Sequence, residues 1–294
     1  MTQPSAGNKL FCFGVGYSAL RLADRLVAAG WTVAGTCRTE EKRQALAERG
    51  IAAVAFERGH PIDDAATVLA DTTHLLSSVP PDDAGDPVLD LHRSDIAAIA
   101  GLRWAGYLST TGVYGDTAGA WVDEAAATHP TNTRSKRRLA AEQDWLGLGR
   151  AHGIPVHVFR LAGIYGPGRS VLDQARTGTA RRVVKPGQAF SRIHVDDIAA
   201  VLEASMAHPD PGAVYNVCDD EPAPSADVVA YACALLGVAP PPEVPFEEAD
   251  LSPMARSFYA DNRRVRNGRI KQDLGVALRY PSYREGLRAI ADEI

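Results

Sequence analysis

Three stretches of this 294-residue chain carry residue types whose spacing suits chemistry. "FGVGYSA" (13–19) sets Gly14, Gly16 and Ala19 as GxGxxA. In that spacing the first glycine permits a tight strand-to-helix turn and the second lets the backbone approach a diphosphate. The alanine allows close helix–strand packing. The amides of Tyr17, Ser18 and Ala19, at the helix start, would then face an anion. "GTCRTEEKR" follows, and Arg38 stands where an acidic residue about 20 positions on would bind the ribose 2′-hydroxyl of NAD; an arginine there suits a 2′-phosphate. The pattern therefore predicts a dinucleotide site for NADP, with NAD as the alternative. The second stretch is hydroxyl-rich, "LSTTGVYG" (108–115). The third, "TNTRSKRR" (131–138), gathers Arg134, Lys136, Arg137 and Arg138. It reads as a solvated helix face, a nucleic-acid patch or part of an active site.

Net charge decides against the nucleic-acid reading. Lys and Arg total 31 against 36 Asp and Glu, a net charge of −5, whereas sequence-independent nucleic-acid binding needs a basic footprint. Cys12, Cys37, Cys218 and Cys233 form no CxxC pair and read as reduced core thiols. No histidines pair as HExxH, so no metal site is predicted. The opening "MTQPSAGNKLFCFGVG" has no signal-peptide core, and no apolar run approaches the ~18 residues of a membrane span. The expectation is a cytoplasmic protein without membrane contact.

The elements that must position these residues follow from hydrophobic periodicity. Apolar runs at 9–15, 31–37, 51–56, 73–79, 104–110 and 155–161 alternate with helical patterns. Ala19, Leu22, Ala23, Leu26 and Val27 form one helical stripe, and Gly30 closes that helix. Strands that read as continuous apolar runs suit a parallel sheet covered on both faces. The predicted fold class is α/β, a doubly wound parallel (Rossmann) sheet with a smaller C-terminal α/β part that binds substrate. The expected boundaries are 7–165 for the dinucleotide-binding domain, with segments near 190–218 returning to it, and 166–294 for the smaller domain. The latter holds a strand at 213–218, a helix at 225–236 and two short helices around a C-terminal Pro turn.

GxGxxA, "LSTTGVYG" and "FRLAGIYGPGRS" (159–170) together resemble the short-chain dehydrogenase/reductase superfamily, in its extended, atypical NAD(P)-dependent epimerase/dehydratase branch. "FSRIHVDDIAAVLEA" (190–204), "AVYNVCDDEP" (213–222) and "YPSYREGL" (280–287) continue the likeness in the same order, from about residue 9 to 290.

The resemblance implies that Thr110, between Ser109 and Thr111, hydrogen-bonds the reacting oxygen. It places Lys136 on the lysine of a Tyr-x-x-x-Lys pair, which holds the nicotinamide ribose, and Asn132 on the tyrosine. A register slipped by two would use Arg138 and Arg134 instead, and neither register restores a tyrosine. An amide donates hydrogen bonds but does not titrate, so Tyr165, Tyr114, Lys136 or water would have to supply the proton. Ser77, Ser78, Val79 and Pro80 would pass under the cofactor, and Leu161 would lie near its carboxamide end. Arg169 and Arg192 would face a phosphate or carboxylate on the substrate, such as a nucleotide sugar. Members binding nucleotide sugars often carry an arginine where Phe190 stands. His194, Asp196 and Asp197 read as architectural: a buried imidazole and helix-capping carboxylates. A homodimer through paired helices is also implied.

The function so expected is an NAD(P)-dependent oxidoreductase of the epimerase/dehydratase type, acting on a small hydroxyl- or carbonyl-bearing substrate such as a sugar. The alternative is a non-catalytic NADP(H)-binding redox sensor that contacts a protein partner.

Overall fold

A computed structural model of the protein describes residues 7–293. The first six residues, on which part of the targeting expectation rests, lie outside the described residues. Seven strands form one sheet: β1 (Lys9–Phe13), β2 (Thr32–Cys37), β3 (Ala52–Ala55), β4 (His74–Ser77), β5 (Trp104–Thr110), β6 (Val156–Leu161) and β7 (Val214–Val217). Their order across the sheet is β7-β6-β5-β4-β1-β2-β3. Pairing is parallel from β3 through β5. Val158 N–H donates to Ala213 O and Ala162 N–H to Val217 O, so β7 advances in step with β6. The order reverses between β1 and β4, the position at which open α/β sheets bind ligands beyond their carboxyl ends.

The inner apolar runs become strands buried on both faces, while β3 (Ala52–Ala55), at the sheet edge, stays partly exposed. From β1, Phe11 and Phe13 pack with Tyr107 of β5, with Val88, Leu89 and Ile96 of α4 (Pro87–Ala97), and with Ala141, Trp145 and Leu148 of α5 (Thr133–His152). Between α4 and the earlier strands lie α1 (Tyr17–Ala28), α2 (Glu40–Ala47) and the single turn α3 (Ala65–Val68). On the opposite face, Trp104 of β5 donates its Nε1 to Ser205 Oγ at 3.0 Å, on α6 (Val195–Ala207). Asp86 caps α4 by accepting from Val88 and Leu89 amides, and its second oxygen accepts from Trp145 Nε1 at 3.0 Å. One buried carboxylate thus registers α5 against the start of α4.

The contacts divide the chain into two compact units: residues 1–110, 136–160 and 199–215, and residues 111–135, 161–198 and 216–294. The linear reading keeps 111–135 with the first domain; the contacts group it with the second. They return 199–215 to the first, and the strand expected at 213–218 becomes the edge of the large sheet. The second unit holds three short parallel pairs: Gly163–Tyr165 with Arg192–His194, Arg182–Val184 with Glu243–Pro245, and Trp121–Val122 with Arg264–Val265. Its core gathers Tyr165, Leu172, Val228, Ala232, Tyr283 and Leu287. Among the described residues no helix is long and apolar enough to cross a membrane.

His74 in β4 is 5% exposed and lies 4.7 Å from the Trp31 ring, with Thr73 Oγ1 2.9 Å from its Nδ1. Burial, reinforced by the Arg103 charge, pushes its pKa down to about 4. The unfolded chain therefore binds a proton below about pH 6.5 that the folded chain accepts only near pH 4, so stability rises with pH across that window. Urea denaturation between pH 4 and 7 should show this slope, and His74→Gln should flatten it.

Candidate functional site

The glycine turn is built as the sequence demands. Gly14 has φ +80°, and a Cβ there would sit 3.1 Å from both Ser78 Oγ and Val79 Cγ2. Its N–H donates to Thr36 Oγ1 at 2.7 Å, and Ser78 Oγ donates to its carbonyl at 2.5 Å. These bonds lock the ends of β1, β2 and β4 together. Gly35 has a related duty: a Cβ there would lie 2.5 Å from Cys12 O, so β1 and β2 approach only because this residue is glycine. Gly16 N-caps α1 with no side-chain capping bond, and no acidic residue occupies the first turn. Helix-start amides in that state suit an anionic group.

Above the turn lies a cavity of about 540 Å³ whose lining includes Gly14–Gly16, Arg38, Lys42, Phe56–Arg58 and Ser78–Pro80. It sits at the carboxyl ends of β1 to β4, and its walls suit an elongated anion: backbone amides at one wall, cations at another. Arg38 is exposed, and among the described residues neither it nor Lys42 is held in an ion pair. Arg43, one residue beyond Lys42, is instead paired with Glu40. Ser77, by contrast, is fully buried, and its Oγ has no hydrogen-bond partner among the described residues. Tyr17, Ser18 and Ala19 open α1, with Ser18 and Ala19 buried.

Around Thr110, the chemistry of the basic run resolves by helix rotation. Thr110 is half-buried at the end of β5. One residue before it, Ser109 Oγ donates to Glu142 Oε1, while Arg160 donates Nη2 to Glu142 Oε2 at 2.8 Å and Nε to both oxygens at 3.2 Å. Arg160 and Glu142 side chains are only 9% and 2% exposed. With Glu142 inward, its neighbour four residues earlier shares that face. That neighbour is Arg138, which donates to Leu108 O at 2.7 Å and lies over the Tyr107 ring. Lys136 is exposed. The inward-facing cation of "TNTRSKRR" is thus the one named by the slipped register. Arg137 pairs with Asp83.

Asn132 is the helix cap: its Oδ1 accepts from Ser135 N–H at 2.9 Å. Arg134, the tyrosine position in the slipped register, lies 4.8 Å over the Phe258 ring. Both candidate tyrosines have committed hydroxyls. Tyr165 donates to Ser282 O at 3.3 Å and fills the space over Gly286, where a Cβ would meet it at 2.1 Å. Burial and the nearby Asp219 and Asp197 charges push its pKa well above the ordinary phenol value. Tyr114 donates to Asn216 Oδ1 at 2.7 Å.

The two arginines assigned to substrate differ in their surroundings. Arg192 donates to the carbonyls of Phe190 and Ala223, at 2.8 and 3.0 Å, tying down the bridge between those residues. Arg169 is exposed in a turn closed on Gly166. Leu161 is buried at the end of β6. Asp197, expected to cap α6, instead accepts the Arg279 and Tyr280 amides at 2.7 and 3.0 Å. Sequence reasoning missed Glu142 and Arg58. Only a buried charge partner betrays the first, and only the cavity wall identifies the second.

The family model described as NAD dependent epimerase/dehydratase matches residues 91–218. Over its whole length the chain is similar to a conserved protein of unknown function from Silicibacter pomeroyi DSS. That protein is 52% identical, with 97% of this chain and 99% of that one covered, at a TM-score of 0.88. Protein YeeZ of Escherichia coli strain K12 is 27% identical over 288 residues, covering 93% of this chain and 96% of that one. A UDP-glucuronic acid 4-epimerase from Bacillus cereus, solved with UDP-glucuronic acid and NAD, shares the fold at 17% identity. There 97% of this chain and 98% of that one are covered, with a TM-score of 0.79.

Two stability measurements check the site's scaffold. Asn132→Ala should cost about 1 kcal/mol through loss of the cap, while Lys136→Ala changes stability by less than about 0.5 kcal/mol. Glu142→Ala strips the buried Arg160 of its carboxylate partner and should cost about 3–5 kcal/mol; in urea titrations the double variant Glu142→Leu/Arg160→Met should recover most of that loss.

Proposed function

Since this chain belongs to the NAD-dependent epimerase/dehydratase family of extended short-chain dehydrogenases/reductases, we propose that it is an NADP(H)-dependent oxidoreductase of the epimerase/dehydratase type, acting on a small hydroxyl- or carbonyl-bearing substrate. The observation that carries the cofactor choice is Arg38 with Lys42 in the cavity wall, both free of ion pairs among the described residues, at the strand end where NAD recognition would use a carboxylate. In this reading the Gly14–Gly16 turn and the first amides of α1 hold the diphosphate, and Arg38 and Lys42 hold the 2′-phosphate. Bound there, the nicotinamide supplies hydride transfer. Thr110 orients the reacting oxygen. Proton exchange then falls to water, because Asn132 does not titrate, Lys136 faces solvent and the hydroxyls of Tyr114 and Tyr165 are engaged.

A second reading, an NADP(H) redox sensor without turnover, is favoured by one observation: Asn132, which the unslipped register sets against the tyrosine, serves as a helix cap. The two readings separate on turnover. Steady oxidation of NADPH against a panel of sugar and small-carbonyl substrates, lost in Thr110→Ala, supports the enzyme. Tight NADPH binding with no turnover on any substrate supports the sensor.

The cofactor assignment has its own test. A charge-assisted hydrogen bond is worth about 1.5–3 kcal/mol, so Arg38→Ala should raise the Kd for NADPH by roughly ten- to a hundredfold while leaving NADH within about threefold. Equal losses for both coenzymes would reject the 2′-phosphate role.

A further inference from the structure

Arg58 enters the cofactor cavity from the end of β3, yet it is unlike the other cations there. Each of its three guanidinium nitrogens already donates: Nε to Asp82 Oδ2 at 2.5 Å, Nη1 to Asp90 Oδ2 at 2.8 Å and Nη2 to Gly85 O at 3.2 Å. The plane is therefore held from three sides of its rim. The rim also carries two carboxylates against one guanidinium charge, which makes it a poor place for a phosphate. What remains presentable is the flat face, and an arginine face stacks on planar π systems.

The rest of the cavity decides what would lie there. If the diphosphate sits on the Gly14–Gly16 turn and the 2′-phosphate on Arg38 and Lys42, the base on that same ribose must occupy the remaining wall, which Phe56, Glu57, Arg58, Asp82 and Pro87 supply. We infer that Arg58 is a specificity-determining residue of the cofactor site: a fixed guanidinium plate on which the purine base stacks, clasped in place by Asp82, Asp90 and the Gly85 carbonyl. The inference rests on the cofactor reading above. The same clasp fastens the β4–α4 connection, so the plate and the wall beside it are set by one side chain.

Binding of 5′-ADP and 2′,5′-ADP, measured by calorimetry on the full chain, tests this separately from the cofactor reading. Arg58→Lys keeps the charge and loses the plane; Arg58→Gln loses the charge and keeps a flat end. Stacking predicts that Arg58→Lys weakens both nucleotides alike, about tenfold, and that Arg58→Gln binds 5′-ADP more tightly than Arg58→Lys. Asp82→Asn/Asp90→Asn, which keeps accepting oxygens around the rim, should stay within about threefold of the parent. Unchanged 5′-ADP binding in Arg58→Lys, a loss confined to 2′,5′-ADP, or Lys binding better than Gln would each overturn the plate while leaving the cofactor reading standing. A parent protein with no affinity for either nucleotide or for NADPH would sink both.

Discussion

Glu142 is the constraint on which the reading of this molecule turns. It is a carboxylate almost wholly removed from water, and it persists there because Ser109 and the Arg160 guanidinium satisfy both its oxygens. Breaking such a pair from one side leaves an uncompensated buried charge, which is far costlier than losing a surface bridge. That cost fixes more than stability. It joins β5, α5 and β6 directly beside Thr110, and it fixes the rotation of α5 about its axis.

Rotation is what sorts the basic run. At about 100° per residue, Arg138 lies roughly 40° from Glu142 around the helix, and Lys136 roughly 120° away. Arg138 therefore reaches the Leu108 carbonyl and the Tyr107 ring, while Lys136 faces solvent. Asn132 then has a use that needs no proton transfer, since its oxygen satisfies an otherwise orphaned amide at the helix start.

The cavity above the glycine turn shows the same economy in a different form. Positive charge on the cavity is divided between groups left open, Arg38 and Lys42, and a group whose charge is spent, Arg58. Charge of the first kind can recognise an anion. Charge of the second kind holds loops and presents a surface. The distinction depends on Asp82 and Asp90, which lie 24 and 32 residues beyond Arg58 in the chain.

Local pattern sufficed wherever one residue's own geometry was decisive. GxGxxA announced a turn that only glycine can make at φ +80°, and six apolar runs announced six of the sheet's seven strands, because a strand covered on both faces leaves little room for alternation. Arg38 at the end of β2 was equally legible, since the strand itself carries it to the cavity. Pairings between distant segments were not. Nothing near Tyr165 foretells Ser282 or Gly286, nothing near Arg192 foretells Ala223, and nothing near Arg58 foretells the carboxylates that clasp it. Whether a cation stays open, becomes a strut or points away from a site is settled by what the fold brings against it and by how a helix is turned, and both are properties of the assembled chain.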